Sequence, residues 1–238
     1  MKKKIIFLIA ILLILCGCLG KQEQNELKSY GIIPLDRLTE SKSSDILLIK
    51  EAFDKQYKQY YLREFESDNC YLGCPMEIYG LGEKEINNFS IKQTIQDQIV
   101  TSKEYLFPVI DENMIIADFQ ASVNKKGQVD VALGGNRFPL IFEALKQNKL
   151  SLDQCYIVTP IYGPVFLFSK QEDQEICTNV HPNFAKTLIM NEINTRIFKE
   201  KIMLLKEMLS SNANYHNSDG AANVPLFSPA AFFDIWYE

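Results

Sequence analysis

The stretch from Glu104 to Gly135, "EYLFPVIDENMIIADFQASVNKKGQVDVALGG", decides the fold, because a long-range pattern and a local turn signal agree within it. Ile115, Ala117, Phe119, Ala121 and Val123 alternate with Ile116, Asp118, Gln120 and Ser122. A period of two is that of a strand with one face on a core. Val129, Val131 and Leu133 continue the apolar face after a polar break. With Val123 opposite Val129, the break Lys125-Lys126-Gly127 becomes a three-residue loop with glycine where the left-handed conformation is needed. Together with the preceding "EYLFPVID", the stretch reads as three antiparallel strands in a meander. Asp118 and Asp130 then lie on its outward face, with Asp111 and Glu112 in a turn.

Upstream of the meander, Asp45 can cap a helix running to Phe65, in which Ile49, Ala52, Phe53 and Tyr57 recur at helical spacing and Tyr57, Tyr60 and Tyr61 are packing residues. The following "ESDNCYLGCPMEIYGLGEKEINN" reads as a loop, and Ser90 with Gln93 as a capping box before a short helix carrying Ile91, Ile95 and Ile99. Downstream, "RFPLIFEALKQNKLS" is a helix of about ten residues starting at Pro139. "CYIVTPIYGPVFLFSKQEDQEICTNV" supplies two or three short strands. Pro182 begins a long helix to Leu209, with Phe184, Leu188, Ile193, Ile197, Ile202 and Leu205 on its packed side. A polar loop and an aromatic tail, "VPLFSPAAFFDIWYE", close the chain, and the tail is expected to dock. The fold class is α+β: an antiparallel meander sheet packed with several helices, one of them a long C-terminal helix. The body spans 45–238, as one sheet or as two halves with a seam near 148–153.

The chain begins "MKKKIIFLIAILLILCGCLGKQEQ". Three lysines precede an apolar run of eleven residues, Ile5 to Leu15, which is too short to span a bilayer and has the layout of a signal peptide. The closing "LCGC" resembles the lipobox of bacterial lipoproteins, in which a cysteine follows leucine and two small residues. The resemblance covers about the first twenty residues. It implies a signal peptide over 1–17, cleavage before Cys18, diacylglyceryl modification of the Cys18 thiol and a further acyl chain on the new amino terminus. Gly17 and Leu15 match the flanking positions, and Cys16 stands where alanine or serine is usual. The mature protein would then be held on a cell membrane or outer membrane, facing the extracytoplasmic side. Each buried methylene contributes about 0.8 kcal/mol, so two or three acyl chains anchor a protein that does not cross the bilayer. Residues 18–44 read as the lipidated terminus and a polar tether, with one helical turn near Pro34 to Leu38 docking back on the body.

Loss of Lys2, Lys3 and Lys4 takes the 25 basic residues to 22 against 30 acidic ones, a net charge of −8, which argues against nucleic acid as a partner. Cys70, Cys74, Cys155 and Cys177 are an even set in an exported chain and read as two disulfides, Cys70–Cys74 with Cys155–Cys177. Strands bordering a common central strand would be about 9–10 Å apart and would forbid the second pair. No second ligand pair completes a metal site around Cys70 and Cys74, and no glycine-rich phosphate loop or cofactor motif is present. His181 and His216 lack a nucleophile signature, and the acids Glu172, Asp173 and Glu175 fall in a turn. Two functions stay open: a non-catalytic envelope protein that binds a protein, peptide or small ligand, and an envelope hydrolase with dispersed acids or a cysteine. A pocket gathering Asp, Glu, His or Cys would favour the second, and an aromatic-lined patch the first.

Overall fold

The computed structural model describes residues 26–38, 43–161, 163–171, 174–218 and 234–236, without the side chains of 133, 134 and 212–218. The stretch expected to be a signal peptide, Cys18, Glu172, Asp173 and the His216 side chain lie outside the described residues.

Eight strands form one mixed sheet: β1 (Cys70–Leu72), β2 (Met76–Leu81), β3 (Val100–Asp111), β4 (Met114–Val123), β5 (Val129–Gly135), β6 (Cys155–Pro160), β7 (Phe166–Gln171) and β8 (Gln174–Asn179). The order is β5-β4-β3-β2-β6-β7-β8, with β1 also on β3. Every pairing is antiparallel except β2 with β6, where Ile78 lies beside Ile157. The meander has the expected register: Val123 pairs with Val129, and Gly127 sits at φ 73° in the turn. Asn124 completes that turn, its side-chain oxygen accepting from the amides of Lys126 (2.9 Å) and Gln128 (3.1 Å). Ala117, Phe119 and Ala121 are buried as expected, but a register shift at Val109/Ile110 breaks the alternation, so that Ile115 packs on the opposite side from Ala117, whose side Ile116 shares.

Helices cover both faces. On one face α1 (Ser44–Ala52) and α2 (Lys58–Glu64), joined by a π-turn over Phe53–Tyr57, press Phe53 and Tyr61 onto Phe107 and Phe119. The N-cap is Ser43, whose hydroxyl accepts from the Ile46 amide at 3.3 Å, rather than Asp45. On the opposite face α4 (Arg137–Asn148) packs Phe138, Ile141 and Leu145 against Leu106, Ile110 and Ile157. Further along the first face, α5 (Glu192–Ser218) sets Phe198, Ile202 and Leu205 on Phe166 and Phe168. Among the described residues no helix is long and apolar enough to cross a membrane.

Several expectations are corrected. The segment 70–88 is not a loop: it holds β1, the central strand β2 and the short helix α3 (Glu83–Asn88), whereas residues 90–99 form turns instead of a helix. Part of the tether belongs to the body, since Leu27, Ile32 and Leu35 are buried and the Cys74 amide donates to the Ile33 carbonyl. Residues 148–153 are not a linker, because Leu150 and Leu152 are buried in the same cluster as Ile78 and Ile157 and the sheet runs through the β2–β6 junction. The last long helix starts ten residues later than Pro182. Asn191 is the reason: its side-chain oxygen accepts from the Asn194 amide at 2.7 Å, the geometry of an N-cap.

Candidate functional site

The titratable residues singled out in the sequence do not converge. Asp118 is fully buried rather than outward-facing, because α4 covers that face. Its carboxylate accepts from the backbone amides of Arg137 (2.6 Å) and Phe138 (3.3 Å) and from the Arg137 guanidinium (2.9 Å). Thus it supplies negative charge to the start of α4. Gly135 is required beside it, since a Cβ there would lie 2.1 Å from the Asp118 carboxylate. Glu175 is likewise structural: it takes the amides of Ile95 (2.8 Å) and Gln96 (3.2 Å), the Tyr156 hydroxyl (3.1 Å) and, at 3.6 Å, Lys199. Burial, and then the charge of Glu175, hold the Tyr156 hydroxyl far above its ordinary pKa. Asp130 is joined to the Asn124 amide in the hairpin turn, whereas Asp111 and Glu112 line an open groove of about 780 Å³ with Asp36, Asp54 and Asp68 and the cations Arg37, Lys50 and Lys58.

All four described cysteines are free thiols in the structure. Cys155 of β6 and Cys177 of β8 are separated by β7, through the pairs Cys155–Ser169 and Phe168–Cys177. Two strand spacings, about 9–10 Å, exceed the reach of a disulfide. Cys70 and Cys74 belong to the clusters on opposite faces of the sheet. Burial pushes both Cys155 and Cys177 up to about 12, so neither is a ready nucleophile. His181 stacks on Phe184 with ring centroids 4.5 Å apart and accepts the Asn183 amide at Nδ1 (3.3 Å). Burial, and then the nearby Arg137, lower its pKa. Among the described residues no group of three or more His, Cys, Asp or Glu is placed to hold a metal ion.

A different region forms a concavity with an aromatic lining, a cleft of about 400 Å³ between the ends of β7 and β8, α5 and the strap that joins them. That volume is in the range of small-molecule sites. Its floor is aromatic. Phe166 meets Phe198 edge-on at 4.8 Å, and Trp236 lies 5.3 Å from the first and 5.8 Å from the second. The rim carries Thr178, Asn179, Asn183, Asn194, Lys186 and Lys201. Hydrogen bonds from three elements hold the strap: the Thr178 hydroxyl donates to the Thr187 carbonyl (2.9 Å), the Asn194 amide to the carbonyls of Cys177 (3.1 Å) and Ile189 (2.9 Å), and the Asn148 amide to that of Leu188 (2.8 Å). The Lys201 amine donates to the Ile235 carbonyl, which ties Trp236 to the cleft.

The sequence reading placed Ile193 and Ile197 on the packed side of the last helix. They are 59% and 40% exposed, and the packed side is Thr195, Phe198, Ile202 and Leu205. A helix starting at Asn191 makes Phe198, Ile202 and Leu205 a set at i, i+4 and i+7, and this spacing was the signal for the cleft floor. Comparison of the chain with protein-family models, curated proteins and solved structures gives no match.

Proposed function

We propose that the protein is a lipid-anchored, extracytoplasmic binding protein without catalytic activity, held at a bacterial membrane surface through Cys18 and taking a small ligand into the cleft beside α5. The observation that carries the reading is the lining of that cleft: aromatic faces below, amide and hydroxyl groups and two lysines around the mouth. Such a set recognises apolar surface and orients it with a few polar contacts. Two of the buried acids are committed to structure, Asp118 to the start of α4 and Glu175 to the turn at Ile95, whereas the open groove with Asp111 and Glu112 favours the second reading, an envelope hydrolase. The anchor half of the proposal rests on "LCGC" and is separable from the cleft.

Two measurements test the two halves. Native mass spectrometry of the purified chain is expected to find a bound small molecule that is lost in Ile197→Trp, which fills the cleft from its exposed wall, and kept in Lys126→Ala, a hairpin control. Retention in Ile197→Trp would remove the cleft from the reading. In a bacterial host, Cys18→Ala is expected to abolish fatty-acid labelling while Cys16→Ala leaves it intact; labelling of the Cys18 variant would remove the anchor.

A further inference from the structure

The cleft does not end at its aromatic floor. Ile197, one of its walls, lies one turn after Ile193 on α5, and Ile189 of the strap lies just before the helix. Positions 193 and 197 fall on one side of an α-helix. The three residues are 40–59% exposed, and Glu200 ends the row one turn further on. The apolar surface therefore leaves the concavity as a narrow strip. Such a shape suits an extended chain better than a compact ring.

Polar groups at the mouth are biased in sign. Among the described residues the lining contains Lys186 and Lys201 and no carboxylate. Lys186 makes no ion pair among the described residues, although the chain as a whole is acidic. Cations around an apolar floor ask for an anion attached to hydrocarbon.

On the reading that the cleft is a ligand site, we propose that its ligand is a single-chain anionic amphipath, with its hydrocarbon over Phe166, Phe198 and Ile197 and its carboxylate or phosphate head at the lysine-bearing mouth. The chain continues along the isoleucine strip. The shared chemistry is one anionic head on one extended apolar tail, and the two head groups are separated by experiment.

Photolabelling tests this with the full chain held in nanodiscs and three probes of equal tail: diazirine-bearing dodecanoate, dodecyl phosphate and uncharged dodecanol. The anionic probes are expected to label peptides from residues 163–201 and 234–236 and to change the emission of Trp236, the chain's single tryptophan. Dodecanol should label these peptides about tenfold less, and Lys186→Glu should weaken the anionic labelling about tenfold, with Lys186→Arg restoring it. Whichever anionic probe labels more strongly identifies the head. Equal labelling by dodecanol, or no response to Lys186→Glu, overturns the anionic class while leaving the cleft a ligand site. Labelling spread evenly over the surface overturns it in favour of contact with the bilayer. Absence of labelling, with a co-purifying molecule still lost in Ile197→Trp, overturns the amphipath and leaves the proposed function standing.

Discussion

The two ends of the sheet are built from the same materials and finished differently. At the β3–β5 end, Phe53, Tyr61, Phe107 and Phe119 are fully buried, the Tyr61 hydroxyl donates to the Asp118 carbonyl at 2.8 Å, and the Asp118 carboxylate is satisfied by α4. At the β6–β8 end, Phe166, Phe198 and Trp236 form an equally aromatic cluster, yet it borders a cleft, an exposed apolar strip and an indole N–H with no partner among the described residues. Aromatic content alone does not separate a core from a binding surface. What separates them is enclosure: the rings of the first are sealed under α1 and α2, whereas those of the second border open space beside the exposed Ile193 and Ile197. A closed cluster is optimised for stability, whereas an open one keeps part of its interaction energy for a ligand.

The strongest way to break this comparison is to remove a satisfied group from the closed end. Asp118→Ala is expected to destabilise the body by about 3–5 kcal/mol, because it strands the Arg137 guanidinium and two amides at the start of α4. Phe119→Ala should cost a similar amount, about 3–5 kcal/mol, by emptying a fully enclosed site. At the open end, Ile197→Ala is expected to change stability by less than about 0.5 kcal/mol while weakening ligand uptake. Urea melts of the three variants check this ordering. A large loss in Ile197→Ala would mean that the strip is core.

A smaller effect sharpens the reading of the meander. Gly127 has φ 73° and open space where a Cβ would point, so Gly127→Val should cost about 1–2 kcal/mol from backbone strain alone, while Lys126→Ala is nearly silent. Equal urea midpoints for the two would show that the hairpin does not require the left-handed residue.

The smallest expected change concerns the thiols. Alkylation without reductant is expected to modify Cys70, Cys74, Cys155 and Cys177 readily in urea, and Cys155 and Cys177 only slowly in the native state near neutral pH. Both are raised above the ordinary thiol range, to about 12, by burial. Their contribution to stability is therefore complete below the unfolded-state thiol pKa and is lost as pH rises through the folded value. Peptide mapping that finds any of the four in a disulfide would require the strands at Cys155 and Cys177, or the two faces at Cys70 and Cys74, to be arranged differently.

Local alternation was enough to determine the meander, since the hydrophobic period and the turn glycine are properties of neighbouring residues. Helix phase and helix starts were harder to read. Ile193 and Ile197 fit a packed face if the helix begins at Pro182, and the decision passes to Asn191, whose capping bond exists only once the strap is pinned by Asn148, Thr178 and Asn194. Strand β2 was hidden for a related reason. Gly80 and the preceding Pro75 look like loop residues, and only pairing with β3 on one side and β6 on the other makes the segment a central strand. By itself the sequence determined the antiparallel meander and the residues available for chemistry, and it carries the "LCGC" resemblance on which the proposed anchor rests, because these depend on covalent order and short periods. Tertiary structure alone decided that Asp118 is buried, that the paired cysteines are kept apart and that aromatic residues from 166, 198 and 236 meet. Each of those facts joins positions far apart in the chain, where no local preference specifies a partner and only the packed sheet and helices bring the groups within contact.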